Sequence, residues 1–111
     1  MMIYHQKIEK KEINPGVIFQ YFGKGEHMNV FHWNMAAGKV VAMHSHESEQ
    51  FGYVIKGGFI IEMENEKFEI GQGDAYLIPP NVKHSFVAVG DTEAIDVFNP
   101  MKNPIPDGRK A

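Results

Sequence analysis

The stretch Val40-Val41-Ala42-Met43-His44-Ser45-His46-Glu47-Ser48-Glu49-Gln50 decides how this chain is read. An apolar, β-branched lead-in runs into two histidines separated by one residue, and on an extended strand side chains two apart project from the same face. Both imidazoles can then reach one ion. Gln50 follows the acidic step Glu47-Ser48-Glu49, whose carboxylates read as solvated loop residues, and His84 arrives from a distant segment just behind Pro79-Pro80-Asn81. A histidine pair alone at this spacing is ordinary surface or hydrogen-bonded structure. With His84 and Gln50 added, four neutral donors could converge from two strands, a set whose spacing suits a metal held inside a small β-barrel.

Outward from this stretch, glycine and proline punctuate the chain at Asn14-Pro15-Gly16, Gly23, Gly38, Gly57-Gly58, Gly71-Gln72-Gly73, Pro79-Pro80 and Gly90. Between them lie β-branched and aromatic runs of strand length. The pattern predicts nine strands, near 17–22, 28–35, 39–43, 51–55, 59–64, 67–70, 75–78, 84–89 and 93–98, with a tight hairpin tip at Asn65-Glu66. No segment keeps a helical period. Many short strands with frequent turns predict an all-β sandwich or jelly roll, hollow enough for a small ligand. The tail Asn99-Pro100-Met101-Lys102-Asn103-Pro104-Ile105-Pro106 holds three prolines, so it reads as extended coil that either covers the barrel mouth or hangs loose.

At 111 residues the chain is expected to form a single domain, residues 1–111. A formal charge of −3 gives no nucleic-acid footprint, and no stretch approaches the length of a membrane span. Without cysteine, any metal is held by nitrogen and oxygen. No signal-peptide-like run opens the sequence, and a cytoplasmic location is the default expectation.

Two blocks frame the donors: Gly38, His44, His46, Gln50 and Gly57, then Gly73, Pro79, Asn81 and His84. In this order and spacing they resemble the paired motifs of the cupin superfamily. The resemblance implies a jelly-roll β-barrel, the double-stranded β-helix, with His44, His46, Gln50 and His84 at its four ligand positions. Gln50 stands where a glutamate is usual, which leaves the ion its full charge: weaker retention, stronger polarisation of a bound carbonyl. Asn81 stands at a glycine position and can take the left-handed turn conformation required there. Imidazole and amide donors suit zinc, nickel, iron, manganese or copper.

A narrower likeness lies in Ala94-Ile95-Asp96-Val97-Phe98-Asn99-Pro100-Met101-Lys102 together with Glu49-Gln50-Phe51-Gly52-Tyr53-Val54. These resemble the small cupins of pectin and alginate breakdown, which convert unsaturated monouronates to linear keto sugar acids. The resemblance implies catalytic or substrate-binding roles for Asp96, Phe98 and Lys102, with lysine in place of an arginine; lysine meets a carboxylate as a point charge, without the two-pronged guanidinium fit. Read from residues alone, the last strand leaves two alternatives: Asp96 and Phe98 face the cavity, or Ile95 and Val97 do. The expected function is metal-assisted ring opening and tautomerisation of a carboxylate-bearing sugar. The alternatives are a ligand-binding protein without chemistry and an iron-dependent dioxygenase. Small cupins commonly form homodimers, for which Val30, Phe31 and Trp33 offer an apolar surface. His5, His27 and His32, without neighbouring donors in sequence, read as surface or structural residues.

Overall fold

The computed structural model describes all residues, Met1–Ala111. After a short 3-10 turn at His5–Lys7 come ten strands: β1 Lys11–Asn14, β2 Val17–Lys24, β3 Asn29–Met35, β4 Val40–His44, β5 Glu49–Lys56, β6 Gly58–Met63, β7 Glu66–Gly71, β8 Ala75–Ile78, β9 His84–Ala88 and β10 Thr92–Asn99. They form a six-stranded sheet of order β1-β2-β3-β10-β5-β8 and a four-stranded sheet of order β4-β9-β6-β7. Every pairing is antiparallel. This is the two-sheet jelly roll that the short, punctuated strands predict.

Two expectations need correction. There are ten strands rather than nine, because Lys11–Asn14 pairs with β2 as an edge strand. Ile13 is the one apolar residue of Lys-Glu-Ile-Asn and packs against both core clusters, and a single apolar position in a short polar edge strand is too little alternation to read. The hairpin tip lies one residue earlier than predicted: Glu64 and Asn65 take φ of 53° and 64°, and Met63 pairs with Glu66. Two left-handed residues make the turn whose twist matches the flanking strands, which outweighs the reluctance of glutamate to adopt that conformation. Asn81 takes a φ of 66°, as its place at a glycine position predicts.

Alternation places the core. Along β10, Thr92, Ala94, Asp96 and Phe98 are buried, while Glu93, Ile95 and Val97 are half-exposed. Along β5, Gln50, Gly52 and Val54 face inward and Phe51, Tyr53 and Ile55 outward. One cluster between the sheets joins Val54, Ile78 and Ala94 to Phe59, Ile61 and Phe86. A second joins Phe19, Phe31 and Phe98 to Ile105 of the tail. The tail is therefore anchored. Asn29, fully buried, donates from Nδ2 to the Lys102 carbonyl at 3.0 Å and accepts the Lys102 amide at 3.0 Å, which fixes where that lysine enters the barrel mouth. Phe31 is 1% exposed and Trp33 packs against both clusters, so neither offers the interface surface expected of it. They occupy inward positions of β3. No helix is long and apolar enough to cross a membrane.

Candidate metal centre and cavity

Chain topology brings His44 and His84 together directly. Forty positions apart in sequence, they are cross-strand partners in the β4–β9 ladder. His46 sits just beyond the end of β4, and Gln50 is the first inward residue of β5. Ring centroids lie 4.4 Å apart for His44 and His84, 4.9 Å for His46 and His84, and 5.5 Å for His44 and His46. One nitrogen from each of the three falls within 4.8 Å of the others.

Hydrogen bonding fixes the tautomers. Nδ1 of His44, His46 and His84 each lies 2.8 Å from a backbone carbonyl, that of Ala42, Ser48 and Val82 respectively. A carbonyl only accepts, so each Nδ1 carries its proton and each Nε2 keeps a bare lone pair. His84 Nε2 is buried with no hydrogen-bond partner at all. Burial, reinforced by the neighbouring His44, His46 and Lys102, lowers the His84 pKa to about 4, and burial lowers that of His46 as well. Both are neutral near pH 7, the state in which imidazole ligates a metal.

Gln50 completes the set with its oxygen. Oε1 stands 3.1 Å from His46 Nε2, so two acceptors face each other, an arrangement relieved by a cation between them. The amide orientation follows from Asp96: Gln50 acts as a hydrogen-bond partner of that carboxylate, and only its NH2 end can donate. Three bare imidazole nitrogens, one of them orphaned in a buried site, and one directed amide oxygen fit a divalent ion.

Asp96 faces inward, 6% exposed, which resolves the alternative left open by the strand pattern. Tyr76 donates its hydroxyl to Asp96 Oδ1 at 2.6 Å. Burial raises the Asp96 carboxyl to about 6, against hydrogen bonding from Tyr76, Gln50 and Trp33 that pulls it down. The same burial, with the adjacent Asp96, pushes the Tyr76 phenol well above its ordinary value, so it remains a donor. Asp96, Phe98 and Lys102 line one cavity of about 470 Å³ with His44 and Gln50. Burial lowers the Lys102 pKa. Twelve of the eighteen lining residues are hydrophobic.

Tyr76 is the site residue that sequence reasoning missed. Its signal was Gly52, a lone glycine inside a strand, which often marks close approach of another group. Gly52 pairs with Tyr76 across β5 and β8, and a Cβ there would stand 1.9 Å from Tyr76 Cζ. Gly52→Ala is expected to drive the phenol off Asp96 and destabilise the fold by about 1–3 kcal/mol or more, read as a lower melting temperature. An unchanged melting temperature would show that the ring moves aside freely. Glu47 and Glu49 are both exposed as expected, Glu47 in the loop before β5 and Glu49, contrary to its reading as a loop residue, as the first residue of that strand.

The family model of the cupin domain matches residues 31–98, more than half the chain and inclusive of every candidate ligand. The chain belongs to the cupin family. The pectin degradation protein KdgF of Dickeya dadantii is 32% identical to this cupin over 71 residues, 62% of the chain and 64% of that protein. Polyketide synthase CurC of Streptomyces cyaneus is 35% identical over 66 residues, 59% of the chain and 43% of that protein. The cupin thus spans less than half of CurC and just under two thirds of the Dickeya protein. Among solved structures, KdgF from Halomonas sp. superposes with a TM-score of 0.87 at 28% identity, covering 93% of this chain and 96% of that one.

Proposed function

We propose that this cupin is a metal-dependent enzyme converting an unsaturated uronate, or a related small sugar acid, to its linear keto form. The observation that carries this reading is the shared cavity: Asp96 and Lys102 border the same space as His44 and Gln50. The relative named for pectin degradation, and the superposition on a KdgF structure, support a sugar acid as the substrate class. A divalent ion held by His44, His46, His84 and Gln50 would polarise a hydroxyl or carbonyl oxygen.

The remaining work belongs to the chain itself. Lys102, held at the mouth by Asn29, meets the substrate carboxylate as a point charge. Phe98 gives the sugar an apolar wall. Asp96 accepts the hemiacetal hydroxyl proton as the ring C–O bond breaks with its electron pair on the former ring oxygen, and one proton is returned to the carbon of the resulting enolate, giving the ketone. Atoms and electrons balance, since substrate and product are isomers. The homodimer expected of a small cupin would use the outer face of the six-stranded sheet, where Phe51, Tyr53 and Leu77 stand 42%, 44% and 66% exposed.

Loss of the unsaturated-uronate absorbance across a panel of uronates tests the activity. Lys102→Ala is expected to raise KM about tenfold or more with a smaller change in kcat, corresponding to about 1.4 kcal/mol of lost carboxylate binding. Lys102→Arg should restore most of it. A second reading, a binding cupin without chemistry, is favoured by the largely apolar cavity lining. It would be supported by ligand-induced stabilisation with no turnover of any uronate.

A further inference from the structure

A second group of metal-competent side chains meets on the opposite face of the six-stranded sheet. His32, an outward residue of β3, is nevertheless only 2% exposed, because the N-terminal segment crosses over it. Phe22 lies flat on its ring, with centroids 4.9 Å apart and planes within 6°. Gln20 of β2 holds the covering segment by donating to the carbonyls of His5 and Ile8 at 2.9 and 3.0 Å. That anchor sets the His5 ring edge-on to His32 at 5.0 Å. Glu93, from β10, places Oε2 2.7 Å from His32 Nε2. The expectation that His5 and His32 lack companions fails here, because the partners come from segments far apart in sequence.

One donor atom from each of His5, His32 and Glu93 lies within 4.8 Å of the others. His32 also keeps a buried nitrogen, Nδ1, without any hydrogen-bond partner. If Nε2 carries the proton toward Glu93, Nδ1 is a bare lone pair in a dry site; if Nδ1 carries it, the Nε2 lone pair faces a carboxylate. Neither tautomer satisfies both nitrogens. A cation at Nε2 takes that lone pair and the Glu93 carboxylate together, replacing their mutual repulsion with two attractions, while Nδ1 keeps the proton.

We propose that His5, His32 and Glu93 bind a divalent transition-metal ion of the zinc class, and that this ion staples the N-terminal segment to the outer face of the sheet. Two imidazoles and one carboxylate form a donor set suited to zinc, with the fourth position left to water. Metal–ligand bonds of about 2.0–2.2 Å draw donor atoms to well within the 4.8 Å that bounds them here, and rotation of the exposed His5 ring provides the approach. The site shares no residue with the barrel centre. It gives the covering segment a reason to carry histidine at position 5.

Zinc is the probe. The full chain, stripped with chelator and equilibrated with Zn²⁺, is expected to hold two ions when measured by equilibrium dialysis with elemental analysis. His5→Ala and Glu93→Gln are each expected to hold one, and the double variant His44→Ala/His84→Ala to retain one. Amide exchange at residues 5–8 should slow at least tenfold on adding Zn²⁺ to the original chain and to the His44/His84 variant, and stay unchanged in His5→Ala. Equal zinc stoichiometry in His5→Ala and the original chain, or a single ion lost entirely with His44 and His84, would overturn the proposal. His5 is exposed, so its replacement tests the site without opening the core.

Discussion

Asp96→Asn is expected to lower turnover of the uronate substrate by about 10²–10⁴-fold, the usual contribution of a positioned proton carrier. It should leave metal stoichiometry unchanged. The substitution is not structurally silent, because donors from Tyr76, Gln50 and Trp33 all act on this carboxylate. An asparagine presents NH2 where one of them needs an acceptor, and leaving a buried donor unmatched costs about 1–3 kcal/mol. Melting curves must therefore accompany the kinetics, with assays run well below the transition. Tyr76→Phe separates the two effects: it removes one hydrogen bond from Asp96 but keeps the carboxylate. If proton transfer is the role of Asp96, Tyr76→Phe retains most of the turnover that Asp96→Asn loses. Equal losses in both would make Asp96 a positioning residue, and an unimpaired Asp96→Asn would remove it from the reaction.

Why the sequence left Asp96 open is visible in the outer face of its sheet. Strand β10 alternates Ala94, Asp96 and Phe98 with Ile95 and Val97, and a polar outer face would have identified the inward set at once. Here the exterior is apolar too, with Phe51, Tyr53 and Leu77 exposed beside it, so alternation defined two faces without naming the buried one. What decides is long-range: β10 lies between β3 and β5, and Phe98 meets Phe31 with centroids 4.7 Å apart and packs in one cluster with Ile105 of the tail. The histidines were legible for the opposite reason. The two-residue step from His44 to His46 was visible locally, although the strand ends at His44 and His46 lies just beyond it, and the resemblance of the framing blocks to the cupin motifs placed His84. The His5–His32–Glu93 group carries no local signal, since its members belong to a 3-10 turn and two strands that meet only after β2, β3 and β10 have assembled.

Loading the barrel centre is expected to produce the largest change in stability. An ion that binds only the folded chain, supplied at about a thousand times its Kd, stabilises it by about 4 kcal/mol. For a domain of this size that is roughly a 10–20 °C rise in melting temperature. Measured in a His5→Ala background, the rise reports the barrel centre alone. His84→Ala should abolish it, and a rise that survives would place the ion elsewhere. Gln50→Glu carries the sharper expectation, because its effect should change sign with the ion. In the stripped chain the substitution removes the NH2 donor to Asp96 and sets two carboxylates together in a buried site, so the melting temperature falls. With the ion present, the added negative charge meets the cation directly, and affinity should rise about tenfold or more. On the proposed reading, the amide at this position would reconcile two neighbours, offering oxygen to a cation and hydrogen to a carboxylate. A Gln50→Glu substitution that shifts the melting temperature by the same amount with and without the ion would show that these two contacts are not coupled through residue 50.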